Sequence, residues 1–216
     1  MPPVIAIDGP SAAGKGTLAR RLATTLGLPY LDTGLLYRAV GRRVLNAGGD
    51  PKDPAVAEDA ARHLVPADLE RTDLRGPEAD AASSVVAAVP GVRAALLEFQ
   101  RSFAAQSGAV LDGRDIGTVI FPTAPAKLFV TASPAERARR RCLELRAKGA
   151  DTDLATVTRD LAERDTRDAS RGAAPLRPAD DAIVLDTTAM DADAAFQAAL
   201  RAVRAKLGLD IADQTN

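Results

Sequence analysis

A glycine-rich loop near the start of the chain separates a short β-branched strand from an amphipathic helix. The strand covers Val4-Ile-Ala-Ile-Asp8, and the helix after the loop repeats leucine every fourth residue, at Leu18, Leu22 and Leu26. Both faces of the strand are apolar, which is typical of a strand at the centre of a parallel sheet. A strand, a glycine loop and a helix in this order favour an open α/β sheet of parallel strands.

The loop has the spacing Gly9-x4-Gly14-Lys15, which is that of a P-loop. Its N–H groups and the positive end of the next helix dipole suit a phosphate chain, and Lys15 can reach the β- and γ-phosphates of a nucleoside triphosphate. Thr17 offers a hydroxyl to Mg²⁺, although Gly16 stands where Ser or Thr usually follows the lysine. The residues assigned to ATP binding are Gly9, Pro10, Ser11, Ala12, Ala13, Gly14, Lys15, Gly16 and Thr17.

A second motif follows the second predicted strand. Thr33 and Gly34 begin a helix, and Arg38 lies one turn inside it. A hydroxyl, free backbone N–H groups and a guanidinium therefore converge at one place. This combination suits a phosphomonoester, so we expect the acceptor phosphate of a small kinase to bind here.

A third motif, Asp112-Gly-Arg114-Asp115, stands at the carboxyl end of another predicted strand, where open α/β sheets bind ligands. Arg114 can hold a phosphate. Asp115 can accept hydrogen bonds from an exocyclic amine or a ribose hydroxyl. Asp112 can serve as an outer-sphere ligand of Mg²⁺.

Several blocks of the sequence, taken in order, resemble those of bacterial cytidylate kinases. They are Ile7-Asp-Gly-Pro-Ser, Gly14-Lys-Gly-Thr17, Leu31-Asp-Thr-Gly34 with Tyr37-Arg38, Pro90-Gly-Val-Arg93, Asp112-Gly-Arg-Asp-Ile-Gly-Thr118 and Arg164-Asp-x-x-Asp168-x-x-Arg171. The blocks extend over most of the chain. The resemblance implies a P-loop kinase that transfers the γ-phosphate of ATP to CMP and dCMP with Mg²⁺.

The same resemblance implies roles for residues that spacing alone does not assign. The cytosine ring would be read by Ser84, Arg93 and Asp115, with Ser83 as the alternative to Ser84 one position away. The monophosphate would be bound by Thr33, Arg38, Arg114 and Arg171, with Tyr37 beside Arg38, and the pentose would be approached by Arg164 and Asp168. The catalytic candidates are Lys15, Arg114 and Arg171.

We expect one domain over residues 1–216, in which five parallel strands are flanked by helices. Beyond the first strand, the strands are predicted at 29–31, 109–112, 127–131 and 182–186. An acceptor-binding segment is predicted at 47–90 and a helical lid at 134–171. Many family members insert a small β-rich domain before the cytosine-reading helix. Residues 67–77 are short and polar here and leave no room for one.

The lid is rich in arginine, and cations that arrive with lid closure would stabilise a moving phosphoryl group and exclude water. Arg164 and Arg171 are assigned to function, whereas Arg137, Arg139, Arg146 and Arg159 are expected on a solvated face. Arg140 and Arg141 are left open between the two. The alternative for the lid is a solvated helix face, for which the pairs one helical turn apart would be Glu136–Arg140, Glu144–Lys148, Asp160–Arg164 and Glu163–Arg167.

The composition excludes several other classes of protein. Lys and Arg number 28 and Asp and Glu number 29, and this near-neutral balance argues against a nucleic-acid or acidic-membrane partner. A single cysteine, Cys142, and a single histidine, His63, argue against disulfides and Cys/His metal clusters. We expect Cys142 to be buried, His63 to be exposed, and Phe99, Phe103, Phe121 and Phe129 to pack in the core.

No apolar run approaches the length of a transmembrane helix, and the N-terminus lacks the features of a signal peptide. We therefore expect a cytoplasmic, monomeric enzyme. A GTPase is disfavoured because the guanine-reading Asn-Lys-x-Asp motif does not occur. Two alternatives stay open: a kinase of the same fold that acts on UMP or another small acceptor, and a non-catalytic module that senses nucleotides.

Overall fold

The five predicted strands form one parallel sheet in the computed structural model, which describes residues 2–172 and 174–209. The sheet order is β2-β3-β1-β4-β5. The strands are β1 (Val4–Asp8), β2 (Tyr30–Asp32), β3 (Ala109–Gly113), β4 (Ala126–Thr131) and β5 (Ile183–Asp186). The predicted α/β class is confirmed. Of the domain predicted over 1–216, residues 1, 173 and 210–216 lie outside the described residues.

Helices connect the strands and cover both faces of the sheet. They are α1 (Lys15–Leu26), α2 (Thr33–Asn46), α3 (Pro54–Arg62), α4 (Pro66–Leu69), α5 (Pro77–Val86), α6 (Pro90–Ala105), α7 (Pro134–Ala147), α8 (Leu154–Ser170) and α9 (Ala192–Leu207). A π-helical turn, Ile116–Ile120, follows β3. The one-turn helix α4 lies where the sequence predicts only an interruption, because Pro66 is at the first helical position, where proline is tolerated.

Aspartate side chains cap the starts of four helices. Asp53, Asp153 and Asp191, which the sequence predicts as caps, and Asp32 at the start of α2 each accept a hydrogen bond from a backbone N–H of the first turn. The sequence Ser133-Pro-Ala-Glu136 predicts a capping box at the start of α7, but only half of it is present. Ser133 accepts from the N–H of Glu136 at 3.3 Å, but its own N–H donates to Thr188. The Glu136 carboxylate is therefore available to other partners.

The sheet is packed between two apolar layers. Leu18 and Leu22 of α1 and Phe196 and Leu200 of α9 cover one face, and α6 with the π-helical turn covers the other. Phe103 and Phe121 pack against this second layer, in agreement with the prediction. The prediction for Phe99 is wrong, since its side chain is 43% exposed on the outer face of α6.

The segment 47–90 is helical, and α2, α3, α5 and α6 pack around a second apolar cluster. No strand occurs between Asn46 and Pro90 in this part of the described chain, consistent with the short insert predicted there. Helices α2 and α5 approach closely at Gly41, where a Cβ would lie only 2.8 Å from Cβ of Ala82. This packing fixes α5 against the helix that carries Arg38.

The two helices of the predicted lid share a small core of their own. Cys142 and Leu145 of α7 pack against Val157 and Leu161 of α8, so Cys142 is buried as predicted. His63 is exposed at the end of α3, also as predicted. Within the described residues no single helix has the length and apolar character to cross a bilayer. Helices α5 and α6 reach that length and apolar character only when they are taken together, and the chain bends by 98° between them.

Candidate active site

The three motifs predicted to carry chemistry meet at one edge of the sheet. The strand register pairs Asp32 with Asp112 and Ile7 with Asp112, so β1, β2 and β3 end at the same level. The loops that leave these strands carry the P-loop, the Thr33-Gly34 helix start and the Arg114-Asp115 turn. This is the edge at which open α/β sheets bind ligands.

The P-loop wraps around a buried lysine. The Nζ of Lys15 donates to the carbonyl of Pro10 at 2.8 Å. Gly14 has φ 89° and Ala12 has φ 61°, so both turn the backbone through the left-handed region. Gly9 serves packing as well as conformation, because a Cβ at this position would lie 1.9 Å from the carbonyl oxygen of Val130 in β4.

A cavity of about 320 Å³ extends from the P-loop across the ends of β2 and β3 to helices α5, α6 and α8. It brings together every residue that the sequence assigns to catalysis or to the acceptor. Those residues are Lys15, Thr33, Tyr37, Arg38, Ser84, Arg93, Arg114, Asp115, Arg164, Asp168 and Arg171. Of the residues assigned to ATP, Gly9, Pro10 and Ala13 do not line this cavity.

The arginines assigned to the acceptor phosphate line this cavity, and two of them keep a nitrogen that makes no hydrogen bond. Arg38 Nη1 is buried 3.6 Å from Oδ2 of Asp32, and Arg171 Nε is buried as well. The Asp168 carboxylate holds two of the arginines, since it accepts from Nε of Arg114 at 2.8 Å and from Nη2 of Arg171. Both Asp168 oxygens are thus already engaged, so this residue orients arginines, and its contact with a pentose stays a prediction.

Thr33 is engaged as well. Its hydroxyl donates to the carbonyl of Asp112 at 2.8 Å and packs against Gly113, where a Cβ would lie 2.6 Å from the Thr33 oxygen. The hydroxyl proton is therefore not directed at the cavity. Its predicted contact with the acceptor phosphate would require this hydrogen bond to be exchanged.

The two charged residues assigned to the base form a buried ion pair. Nη2 of Arg93 donates to Oδ2 of Asp115, and Arg93 Nη1 is left buried without a partner. Burial raises the pKa of Asp115, against the opposing effect of the Arg93 charge. The guanidinium carbon of Arg93 lies 5.8 Å from the centre of the Tyr37 ring. Tyr37 therefore supports Arg93, a partner that the sequence did not indicate.

Ser83 and Ser84 differ in what their hydroxyls contact. Ser83 donates to the carbonyl of Asp80 on its own helix, whereas the Ser84 hydroxyl accepts from Nε of Arg167 at 3.3 Å. The Ser84 proton is not used in this contact. Of the two positions left open by the sequence, Ser84 is the one with a donor available to a ligand.

Asp8, at the end of β1, holds the turn that follows Arg114 and Asp115 in place. Its carboxylate accepts from the N–H groups of Ile116 and Gly117, both at 2.7 Å. Burial raises the pKa of Asp8 to about 6, against the lowering effect of these two hydrogen bonds. The sequence analysis did not predict this role, although an aspartate at the end of an apolar central strand indicates a buried carboxylate that needs hydrogen-bond partners.

Asp112 faces the P-loop from β3. It accepts from the Tyr30 hydroxyl at 2.9 Å, and its Oδ2 lies 3.8 Å from where a Cβ of Gly16 would be. Burial, and then the negative charge of Asp32, raise the pKa of Asp112 to about 6. Tyr30 therefore has a polar contact at the site in addition to its packing role.

The lid arginines depart from the sequence prediction at Arg137, which is buried rather than solvated: it donates to Asp165 of α8 and to the carbonyl of Ser11 in the P-loop. Arg164 lies in the cavity, 3.8 Å from Asp80 of α5, and not in the pair with Asp160 that a solvated face would give. The other three pairs of the solvated-face alternative, Glu136–Arg140, Glu144–Lys148 and Glu163–Arg167, are present.

A second cavity, of about 270 Å³, lies on the other side of Gly14 and Thr17. It is bordered by Arg139 and Arg140 of α7 and by the loop after β5. Arg140 donates to the Thr187 carbonyl at 2.7 Å and to Glu136 at 2.8 Å, so one of the two lid arginines that the sequence left open joins α7 to this loop. The P-loop thus separates two cavities.

Two solved structures share this fold at low sequence identity. An uncharacterized protein from Eubacterium ventriosum superposes with a TM-score of 0.55 at 16% identity, over 93% of this chain and 98% of that chain. The protein TT1252 from Thermus thermophilus superposes with a TM-score of 0.50 at 24% identity, over 95% and 98%. These similarities concern the fold alone.

Sequence comparison identifies the family. The cytidylate kinase from Granulibacter bethesdensis is 64% identical over 203 residues, which cover 94% of this chain and 97% of that protein. The cytidylate kinase from Paramagnetospirillum magneticum is 61% identical over 210 residues, which cover 95% and 100%. The cytidylate kinase family model matches residues 5–205. With its P-loop, its arginine-lined cavity and these matches, the chain belongs to the cytidylate kinase family.

Proposed function

We propose that this enzyme transfers the γ-phosphoryl group of ATP to CMP and dCMP. The observation that carries the proposal is one cavity that joins Lys15 of the P-loop to four arginines with buried, unpartnered nitrogens: Arg38, Arg93, Arg164 and Arg171. Each of these guanidinium groups is paired with a carboxylate, yet a buried nitrogen without a hydrogen bond is costly, and an anionic ligand would provide that bond. The cytidylate kinases to which the chain is 54–64% identical support cytosine as the base of the acceptor.

The donor would lie along the P-loop between the two cavities. The second cavity has room for its nucleoside, and its phosphates would follow the loop toward Lys15. The Pro10 carbonyl uses one of the three N–H donors of Lys15, so the others can donate to a phosphate oxygen. The backbone N–H groups at the start of α1 and the helix dipole stabilise the same phosphates.

The acceptor phosphate would be held by Arg38, Arg114 and Arg171, whose donors face the first cavity. One of its oxygens attacks the γ-phosphorus of ATP, the bond to the β–γ bridging oxygen breaks, and ADP leaves. The acceptor phosphate is already an anion at neutral pH, so no strong general base is needed. Positioning and charge stabilisation by these arginines and Lys15 are the main contributions of the protein.

The base would be read by the Arg93–Asp115 pair and the hydroxyl of Ser84. Cytosine presents an exocyclic amine beside a ring nitrogen that accepts hydrogen bonds. A carboxylate facing the amine and a guanidinium facing the ring nitrogen would match this pair. Uracil presents the reverse order, a carbonyl oxygen beside a ring N–H, so this orientation of Asp115 and Arg93 would favour cytosine over uracil.

The residues near the P-loop fit a magnesium ion that is bound mainly by the nucleotide. The described residues contain no group of three or more His, Cys, Asp or Glu placed to hold a metal. Mg²⁺ commonly takes one or two protein ligands together with phosphates and water. Asp112 and Thr17 would be those residues, and a cation would favour the ionised form of Asp112. When bound, Mg²⁺ neutralises charge on the β- and γ-phosphates.

Segments 47–90 and 134–171 would close over the two nucleotides and exclude water from the transfer. The monomeric state, the cytoplasmic location and the absence of nucleic-acid or membrane partners stay predictions from the sequence.

The substrate proposal is tested by acceptor-dependent release of ADP with CMP, dCMP, UMP, AMP and GMP. We expect CMP and dCMP to have the highest kcat/KM. A higher value for UMP or another acceptor would contradict the assignment, and ATP binding without turnover for any acceptor would indicate a nucleotide-sensing module.

Two adjacent serines give a matched control for base recognition. Ser84→Ala should lower kcat/KM for CMP, whereas Ser83→Ala should not, because the Ser83 hydroxyl is bonded to its own helix.

A further inference from the structure

Asp80 of α5 contacts arginines from three other helices. Its Oδ1 accepts from Nε of Arg38 in α2 at 3.0 Å, and its Oδ2 accepts from Nη2 of Arg141 in α7. Nη1 of Arg164 in α8 lies 3.8 Å from Oδ1. No other carboxylate among the described residues forms ion pairs with arginines of three different elements.

These four side chains are largely removed from solvent. The exposed fraction of the Asp80 side chain is 17%, and the three arginines are similarly shielded. Three guanidinium groups at one end of a cavity would repel one another without a carboxylate between them. Burial and the neighbouring Arg114 lower the pKa of Arg164 to about 10, and Asp80 opposes this shift. Asp80 therefore allows the arginines to lie close together as cations.

Asp80 also determines which guanidinium nitrogens remain free. It engages Nε of Arg38, and Nη1 and Nη2 of Arg38 lie 3.5 and 3.6 Å from where a Cβ of Gly34 would be, at the start of α2. Nη1 of Arg38 lies 3.6 Å from Oδ2 of Asp32 and makes no hydrogen bond, and Nε of Arg164 makes none either. Asp80 thus fixes one edge of each guanidinium group, and a ligand phosphate would complete the hydrogen bonds of the other edge.

The same face of α5 meets the lid a second time. Ser84, one helical turn after Asp80, accepts from Nε of Arg167 in α8. Asp80 and Ser84 therefore join the acceptor-binding segment to both lid helices, through Arg141 of α7 and Arg164 and Arg167 of α8. The position of the lid arginines depends on a residue of the acceptor segment.

We propose that Asp80 is a positioning residue for phosphoryl transfer, which orients Arg38 toward the acceptor phosphate and holds Arg141 and Arg164 of the lid beside it. The inference rests on the proposed function, since it assigns a partner to arginines of that site. It predicts that loss of the carboxylate weakens acceptor binding. If Asp80 instead competed with the phosphate for these arginines, loss of the carboxylate would strengthen it.

The experiment measures KM for CMP, KM for ATP, kcat and Tm in Asp80→Asn. We expect KM for CMP to rise at least fivefold, with a smaller change in KM for ATP, and Tm to fall while staying above the assay temperature, because three shielded cations lose their common carboxylate. Glu78→Gln is the matched control, because it removes the same charge from the same helix. The Glu78 side chain is 68% exposed and pairs with Arg42. The KM values of this variant should equal those of the wild type. Asp80→Glu should recover part of the CMP affinity.

A double-mutant comparison tests whether Asp80 acts through the lid. Arg141→Gln should raise KM for CMP, and Asp80→Asn combined with Arg141→Gln should be no worse than the more affected single variant. Additive effects, an unchanged KM in Asp80→Asn, or tighter CMP binding would each overturn the proposal. These outcomes are read against a wild type that phosphorylates CMP. A wild type that prefers another acceptor would contradict the proposed function instead, and Asp80 would then be tested with that acceptor.

Discussion

Two buried lysines of this chain each donate to the carbonyl oxygen of a proline five residues earlier. Lys15 contacts Pro10 in the P-loop, and Lys127 contacts Pro122 before β4. Lys127 also donates to the carboxylate of Asp181 at 2.8 Å. Lys15 makes no hydrogen bond to a carboxylate among the described residues, and we infer that its ammonium is available to an incoming phosphate.

This contrast gives a residue-scale prediction for Lys15→Ala. The variant should lose about 3 kcal/mol of transition-state stabilisation, a factor of roughly 10²–10³ in kcat/KM, because it removes a cation from the transferring phosphoryl group. Lys127→Ala is the matched control: it should lower Tm and leave kcat/KM nearly unchanged. Steady-state rates and thermal unfolding of both variants distinguish a loss of catalysis from a loss of stability. Near-wild-type activity in Lys15→Ala would contradict the role of the loop.

At the scale of residues, the sequence predicted which side chains face the cavity better than it predicted what they contact. Lys15 and Arg114 belong to short motifs whose spacing places them at strand ends. The contact of Tyr37 with Arg93 and that of Arg137 with Ser11 join segments far apart in the chain. Periodicity on one helix cannot predict such contacts, so Arg137 was expected on a solvated face.

Helices α2 and α5 carry the acceptor side of the cavity, and their separation is fixed by small residues. A Cβ at Gly41 would lie 2.8 Å from Cβ of Ala82 and 3.2 Å from the backbone nitrogen of Ser83. Helix α2 bears Arg38, and α5 bears Asp80 and Ser84. A change in the distance between these helices would therefore shift Arg38 relative to Asp80 and Ser84.

The element-scale prediction concerns Gly41→Ala. Alanine favours a helix over glycine by about 1 kcal/mol, yet the added methyl group should force α5 away and cost about 1–3 kcal/mol. We expect a lower Tm and a higher KM for CMP, with KM for ATP little changed. Adding Ala82→Gly should recover part of both losses, because it restores space between the helices. A Gly41→Ala variant with raised Tm and normal KM would show that the contact does not set the geometry.

The elements themselves were largely predictable, because their signals are local. Asp53, Asp153 and Asp191 mark helix starts, and the β-branched run from Val4 marks the central strand. The short helix α4 was missed because a single turn has no periodicity to detect. The second hydrogen bond expected of the capping box at Ser133 is absent, because Thr188 from a distant loop provides that hydrogen bond instead.

At the scale of the whole molecule, a chain with a net charge of −1 concentrates cations in one cavity. Arg38 of α2, Arg114 after β3, and Arg164 and Arg171 of α8 and its C-terminal end come from three separate parts of the chain and meet beside Lys15. Burial, and then the positive charge of Arg114, lower the pKa of Lys15 to about 7. This value is a property of the assembled fold, and the sequence near Lys15 could not reveal it.

The lowered pKa predicts a pH dependence for ATP capture. Lys15 loses its proton as pH rises through about 7, and a neutral amine attracts phosphate less, so kcat/KM for ATP should fall above this pH. At saturating ATP the bound phosphates favour the ammonium, and kcat should hold to higher pH. The comparison is the pH profile of Lys15→Arg, whose guanidinium stays charged over this range. The titration of ATP itself affects both proteins equally, so it cannot cause a difference between their profiles. Parallel profiles for the two proteins would contradict the assignment.

Asp8 connects the strand that leads into the P-loop to the turn that carries Arg114 and Asp115, through two hydrogen bonds of 2.7 Å. Under the proposed function, the loop that holds the donor and the turn next to the acceptor would therefore share one anchor at the carboxyl ends of β1 and β3. Arg38 and Arg171 would reach the acceptor phosphate from α2 and from the end of α8, so movement of these helices would admit and release nucleotides. Substitutions in the outer helices would then change nucleotide affinity and turnover before they disturb the anchored turn.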